Sequence, residues 1–80
     1  MNRETLTDEM QSLAREIFQD PDLILTDSLS SSDVESWTSL SFMQFLKSIE
    51  AKYGFQFRMT ELFLFRNMGA VIDATLSHIA

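Results

Sequence analysis

The sequence predicts an all-α fold, namely a bundle of four helices with a long first loop and a short third helix. Apolar residues recur three and four positions apart in three long segments, which is the spacing of one face of an α-helix. Strand patterns are almost absent, and no internal repeat or low-complexity segment occurs. With 80 residues, we expect a single domain spanning residues 1–80.

Composition is that of a folded, acidic chain. Hydrophobic residues make up 45%, with seven phenylalanines, which argues against disorder. The net charge of −6 argues against nucleic-acid binding, because phosphates would repel the chain. There is no cysteine, so no disulfide, thiolate metal site or thiol nucleophile is available. Neither a leader nor a long apolar run is evident, and we expect a cytoplasmic location.

The first predicted helix covers residues 5–19. Its apolar stripe consists of Leu6, Met10, Leu13 and Ile17. Thr5 with Asp8 three positions later approximates a capping box, and we expect the helix to begin there. Asp20-Pro21 ends it, because proline disfavours helical geometry in the residue before it.

Residues 20–37 have no helical period and are rich in serine, aspartate and threonine, which predicts a loop. A loop of this length needs anchors, and four apolar residues are expected to supply them: Leu23, Ile24, Leu25 and Leu29. An alternative pairs residues 23–26 with residues 55–57 as two short strands, although such a pair is marginal alone.

The second predicted helix begins at Ser39 and ends at Tyr53, with Gly54 as its left-handed stop. Its core side consists of Phe42, Phe45, Leu46, Ile49 and Tyr53. Thr38 is a good N-cap, which places the Ser39 hydroxyl at the positive end of the helix, where a phosphate would meet free N–H groups. Leu40 falls on the opposite side and faces solvent.

Residues 60–65 predict a third helix of one or two turns, capped by Thr60 and too apolar to be exposed. Asn67 is expected to cap the last helix. The buried side of that helix consists of Met68, Val71, Ile72, Leu76 and Ile79. His78, two residues from the end, is expected to be solvated.

The residues around Ser39 form a motif that continues to the end of the second helix. They read Asp33-Val34-Glu35-Ser36-Trp37-Thr38-Ser39-Leu40, followed by Phe42, Phe45, Ile49-Glu50 and Tyr53-Gly54-Phe55-Gln56-Phe57. This pattern resembles the acyl carrier proteins, particularly their Trp-Asp-Ser-Leu branch, with Thr38 in place of the aspartate. The resemblance covers residues 33–79 and, more weakly, residues 5–19. It implies an acyl-carrier-like bundle.

The resemblance further implies that Ser39 receives 4'-phosphopantetheine from coenzyme A. In the family, the aromatic residue that ends the helix lies fourteen positions after the modified serine, and Tyr53 lies fourteen after Ser39. Ser36 is three residues out of step. Serine without a neighbouring base is a weak nucleophile, so a phosphopantetheinyl transferase would supply the base and metal. Acyl groups would then travel on the arm as thioesters between loading and transfer enzymes.

The resemblance also implies contact surfaces. Thr38 and Leu40 flank the attachment site, and the residues expected to contact partner enzymes are Trp37, Leu40, Met43, Met59 and Phe65. In the family the acyl chain enters between the second and third helices, and some of four residues are expected to line its path: Phe42, Phe45, Leu62 and Phe63. Relatives present a strongly acidic second helix to basic enzymes, whereas this helix carries only Glu50 between Lys47 and Lys52.

No residue pattern indicates catalysis by the chain alone. His78 is the single histidine, the acids lack metal-ligand spacing, and no glycine-rich phosphate loop is present. We therefore interpret the chain as a monomeric acyl carrier protein, not an enzyme, of a specialised bacterial fatty acid, lipid or polyketide-type pathway. Two alternatives are an unloaded carrier-like bundle that acts as a protein-interaction module, and a peptidyl or aminoacyl carrier.

Overall fold

The computed structural model describes all 80 residues and contains four helices and no strand. The helices span Arg3–Ile17 (α1), Ser39–Tyr53 (α2), Met59–Leu62 (α3) and Met68–Ile79 (α4). α1 packs against both α2 and α4. The predicted four-helix fold with a long first loop and a short third helix is confirmed, and the alternative pair of strands is wrong. None of the helices combines the length and apolarity needed to cross a membrane.

The core is built from one face of each long helix together with part of the first loop. Its buried side chains include Leu6, Met10, Ala14, Leu23, Leu25, Val34, Phe45, Leu46, Ile49, Met68, Val71 and Ile72. Leu29 is partly buried, but the expected anchor Ile24 is exposed. In an extended segment successive side chains point to opposite sides. Ile24 therefore faces solvent because its two neighbours face the core.

α1 begins two residues before the expected position. Its N-cap is Asn2, whose side-chain oxygen accepts a hydrogen bond of 2.8 Å from the backbone N–H of Thr5. The predicted cap at Thr5 is therefore wrong, because asparagine is a better N-cap residue than threonine and comes first along the chain. The helix ends at Ile17, and Gln19 takes a positive φ of 53° that turns the chain into the first loop.

α2 begins and ends as predicted, at Ser39 and Tyr53. Gly54 adopts a left-handed conformation, with φ 73°, and its N–H bonds to the carbonyl of Glu50 at 2.9 Å. The Tyr53 hydroxyl donates to the Glu9 carboxylate of α1 at 2.6 Å. Partial burial, and then this carboxylate, raise the pKa of Tyr53, so the phenol stays protonated and holds the end of α2 to α1.

α3 begins at Met59 with Arg58 as its N-cap, so the predicted cap at Thr60 is wrong. The Arg58 N–H donates to the Glu61 carboxylate at 2.7 Å. The expectation that this segment is too apolar to be exposed is also wrong, since Phe63 and Leu64 are 76% and 69% exposed. A helix of four residues has too little surface to bury all of its apolar side chains against the bundle.

The first loop is held by hydrogen bonds from α1. The Leu25 N–H donates to the Gln11 side-chain oxygen at 2.9 Å, and the Arg15 Nε donates to the Leu23 carbonyl at 2.8 Å. Each bond pairs a loop backbone group with a helix side chain. The loop therefore keeps a defined path without forming secondary structure.

The same loop caps the start of α4. The N–H groups of Met68 and Gly69 donate to the carbonyls of Leu29 and Asp27 at 2.8 and 2.9 Å. These are first-turn donors that have no partner within the helix. Arg3 of α1 also pairs with Asp27 at 3.1 Å. A Cβ added to Gly69 would lie 2.9 Å from the Asp27 carbonyl oxygen, so only glycine allows this approach.

We expect Gly69→Ala to destabilise the protein by about 1–3 kcal/mol, because the added methyl group overpacks against backbone. In an ordinary helix the same change stabilises by about 0.5–1 kcal/mol. The free energy of unfolding, from urea titrations followed by circular dichroism, measures the effect. Ala51→Gly, at an exposed position of α2, is the control, because it measures the difference in helix propensity between alanine and glycine without a change in packing. A Gly69→Ala protein as stable as the wild type would contradict the close approach.

Candidate functional site

Ser39 is the first residue of α2, and it is exposed. A network of hydrogen bonds surrounds this helix end, and none of them involves the Ser39 hydroxyl. The oxygen is therefore accessible to another molecule and does not need to break a protein contact in order to react.

A capping box fixes the backbone on either side of this hydroxyl. The Ser41 N–H donates to the Thr38 Oγ1 at 3.2 Å, and the Thr38 N–H donates to the Ser41 Oγ at 2.8 Å. Ser41 Oγ also donates to the Ser36 carbonyl at 2.8 Å. Sequence reasoning identified Thr38 but missed Ser41. The position of Ser41, three residues after the cap, could have indicated its role, although glutamate or glutamine is the usual residue there.

The first turn of α2 retains free N–H groups. Those of Ser41 and Phe42 bond to the Thr38 side chain and carbonyl. Those of Ser39 and Leu40 have no backbone or side-chain acceptor. Together with the positive end of the helix dipole, such groups favour an anion. The helix start therefore suits a negatively charged substituent on the Ser39 oxygen.

Trp37 packs directly before the helix start. Its ring stacks between Phe18 and Phe42, with centroid distances of 5.5 and 5.0 Å. An open cleft of about 360 Å³ lies beside the hydroxyl and is lined by Ser31, Trp37, Thr38, Ser39 and Phe42. The aromatic stack thus forms one wall of the space next to Ser39.

The five residues expected to contact partners fall into two groups. Leu40, Met43 and Met59 are exposed. Trp37 and Phe65 are partly buried against the core, and Phe65 lies edge-on to Phe42 and Phe57 at centroid distances of 6.5 and 5.1 Å. The exposed group lies on α2 and α3, whereas the other two are held by aromatic packing.

A second cleft, of about 160 Å³, separates α2 from the segment that leads into α3. It is lined by Met43, Leu46, Lys47, Glu50, Gln56, Phe57 and Leu62. Some of four residues were expected to line a space between these helices, and of these Leu62 does so. Phe45 is fully buried, Phe63 is exposed, and Phe42 lines the cleft at Ser39. The sequence analysis did not assign four α2 residues to this cleft: Met43, Leu46, Lys47 and Glu50. Their spacing of i, i+3, i+4 and i+7 places them on one side of the helix.

Glu61 connects α3 to α4. Its Oε1 accepts the Arg58 N–H and lies 2.8 Å from the His78 Nε2. The His78 ring stacks on Phe55 with centroids 4.5 Å apart. The expectation of a solvated His78 is therefore wrong, because partners distant in sequence cover it. The Arg58 N–H, and then His78, lower the pKa of Glu61. No group of three His, Cys, Asp or Glu side chains is placed to hold a metal ion.

The structure is similar to the solution NMR structure of holo acyl carrier protein from Geobacter metallireducens. The two share 31% sequence identity with a TM-score of 0.84, and the match covers 89% of this chain and 82% of that chain. No protein-family model matches the sequence, and no curated protein does. The matched region therefore includes most of both chains.

We expect Glu61→Gln to destabilise the protein by about 1 kcal/mol at neutral pH, since it weakens a charge-assisted cap. Folding lowers the pKa of Glu61 below its ordinary value of 4.5. The greater stability of the wild type relative to Glu61→Gln is therefore fully present above pH 4.5. It is lost as the pH falls through the lowered pKa.

Urea unfolding of both proteins between pH 3 and pH 7 measures this difference. Glu16→Gln, at an exposed carboxylate of α1 that makes no ion pair, is the control and should show no comparable loss. A Glu61→Gln difference that persists unchanged at pH 3 would show that the carboxylate charge is not responsible.

Proposed function

The chain belongs to the acyl carrier protein family, and on that premise we propose that Ser39 is the attachment point for 4'-phosphopantetheine. In this proposal the chain carries acyl intermediates as thioesters on the attached arm. The observation that carries it is the exposed Ser39 hydroxyl, free of hydrogen bonds, at the first residue of α2.

The residues around Ser39 fit such a group. A phosphate on the Ser39 oxygen would meet the free N–H groups of Ser39 and Leu40 at the positive end of α2. The open cleft beside Trp37 and Ser31 leaves space for the atoms that follow the phosphate. When bound, the group supplies a thiol, which this chain otherwise lacks.

The chain's own part in attachment is to present the nucleophile. The Ser39 oxygen would form the new bond to the phosphorus that carries the pantetheine group, the phosphoanhydride bond of coenzyme A would break, and adenosine 3',5'-bisphosphate would leave with the electron pair. The Ser39 proton would pass to a base of the partner enzyme, because no base of this chain bonds to it. The Thr38–Ser41 capping box keeps the backbone at Ser39 in place during this step. A phosphopantetheinyl transferase is therefore the first partner, and Leu40 is positioned to contact it.

We place this carrier in the cytoplasm, as a monomer, in a specialised bacterial fatty acid, lipid or polyketide-type pathway. The charge of α2 supports a specialised pathway, since Lys47 and Lys52 accompany its single acid, Glu50. Enzymes that recognise a strongly acidic helix would bind this one poorly. Loading and acyl-transfer enzymes adapted to it are the further partners.

One observation favours a second candidate function. Thr38 occupies the position at which the family has an aspartate, whose carboxylate helps the transferase and its metal to engage. A chain that is no longer loaded would act instead as a protein-interaction module. Loading experiments separate the two functions directly.

Incubation with coenzyme A and a broad-specificity phosphopantetheinyl transferase should add one phosphopantetheine to the wild type, as measured by intact mass. Ser39→Ala should gain nothing. Ser36→Ala, at the exposed serine three residues earlier, is the matched control and should be loaded normally. Absence of the added mass with several transferases would favour the interaction module.

We expect Thr38→Asp to be loaded several-fold faster than the wild type, because the carboxylate assists the metal-bound transferase. Aspartate is also a good N-cap, so the free energy of unfolding should change by less than about 1 kcal/mol. Initial rates of mass gain measure the first effect, and urea unfolding measures the second. Thr38→Ser, which keeps the cap without the charge, is the control. Equal loading of Thr38→Asp and the wild type would show that Thr38 does not limit attachment.

A further inference from the structure

Five exposed apolar side chains lie on α2 and on or directly after α3. We call them the apolar face: Leu40, Met43, Met59, Leu62 and Phe63, each between 36% and 76% exposed. The first two lie three residues apart on α2, and the other three lie on one side of the α3 turn. Met43 and Leu62 line the same cleft, so the two rows form one surface. Apolar patches of this kind mark interaction sites.

Two exposed cations lie next to residues of the apolar face. Lys47, one turn after Met43, has 70% of its side chain exposed, and Arg58 is exposed immediately before α3. Between residues 39 and 66 the only acids are Glu50 and Glu61.

Both of these carboxylates are occupied within the protein. Glu50 accepts the Phe57 N–H at 2.7 Å and lies 3.6 Å from Lys47. Glu61 accepts the Arg58 N–H at 2.7 Å and bonds to His78. The side chains of Glu50 and Glu61 are 15% and 22% exposed. The face therefore offers apolar contact and positive charge, with no free carboxylate on α2 or α3.

We propose that the apolar face docks a partner enzyme whose surface has an apolar pocket for Phe63, bordered by carboxylates that meet Lys47 and Arg58. The inference rests on the proposed function and specifies the chemistry of the partner. Aromatic anchors in apolar pockets supply much of the affinity of protein interfaces, while charges at the rim set association rate and partner choice. An acidic rim is the complement of this surface.

Two other occupants fit the charges less well. In a symmetric dimer through this face, Lys47 and Arg58 would approach the same cations of a second copy. An anionic lipid surface would extend beyond the apolar face and repel the rest of the chain, which has a net charge of −6 and nine acids in residues 1–38. A protein can confine its carboxylates to the rim that meets Lys47 and Arg58, and screening by salt weakens repulsion from more distant acids. Charge complementarity therefore favours an acidic protein surface.

A charge-exchange experiment tests the rim. Two phosphopantetheinyl transferases serve as probes. One has a basic docking surface, and the other is a variant in which acidic residues replace the basic residues of that surface. Relative to wild type, the double variant Lys47→Glu/Arg58→Glu should be loaded about fivefold more efficiently, in kcat/KM, by the basic enzyme and about fivefold less efficiently by the acidic one. Lys52→Glu, which makes half of this charge change beside the Tyr53 ring, should change neither value appreciably.

A second comparison tests the anchor. Phe63→Ser should lower kcat/KM about tenfold with both transferases. Leu64→Ser removes an equally exposed side chain that lines the separate cleft between α3 and α4, and it should have little effect. Because both side chains are exposed, neither change should alter the circular dichroism spectrum.

The outcomes that overturn the proposal are distinct. Absence of loading in every protein contradicts the role of Ser39, whereas normal loading without dependence on charge or on Phe63 contradicts only the docking face. Sedimentation of the chain with phosphatidylglycerol-containing vesicles, lost in Phe63→Ser, would assign the face to a membrane. A concentration-dependent dimer in sedimentation equilibrium, lost in the same variant, would assign it to a second copy.

Discussion

A continuous row of aromatic rings holds the irregular parts of this protein together. It runs from the end of α1, through the first loop and α2, to the end of α4, in the order Phe18, Trp37, Phe42, Phe65, Phe57 and His78. Neighbouring centroids are 5.0 to 6.5 Å apart. Such pairs contribute about 0.5–1.5 kcal/mol each beyond area burial. A four-residue α3 could not persist without contacts of this kind.

The row also explains how the site combines rigidity with exposure. Trp37 fixes the chain before Ser39, and the Thr38–Ser41 capping box fixes it on both sides. Neither device uses the Ser39 hydroxyl. Because the stabilising contacts lie beneath or beside the serine, the Ser39 oxygen stays free and Leu40 projects into solvent. The fold can therefore present this hydroxyl in a fixed position without weakening its own core.

Features set by local sequence signals were predictable. Thr38 and Gly54 gave the two ends of α2, and the spacing from Ser39 to Tyr53 gave the register of the motif. The cap of α1 was missed because Thr5 with Asp8 matches a capping-box pattern, although Asn2 is the better N-cap residue. The contacts of Glu61, His78 and Phe55 join residues far apart in the chain, and the exposure of Phe63 depends on how much of α3 the bundle covers. No local pattern encodes these.

The stacking of Trp37 has a practical consequence. It is the chain's only tryptophan, and its ring lies between Phe18 and Phe42 while lining the cleft at Ser39. Intrinsic indole fluorescence therefore comes from a single chromophore whose surroundings are the site itself. Its emission maximum and quenching by small solutes give a label-free optical signal from the immediate neighbourhood of that hydroxyl.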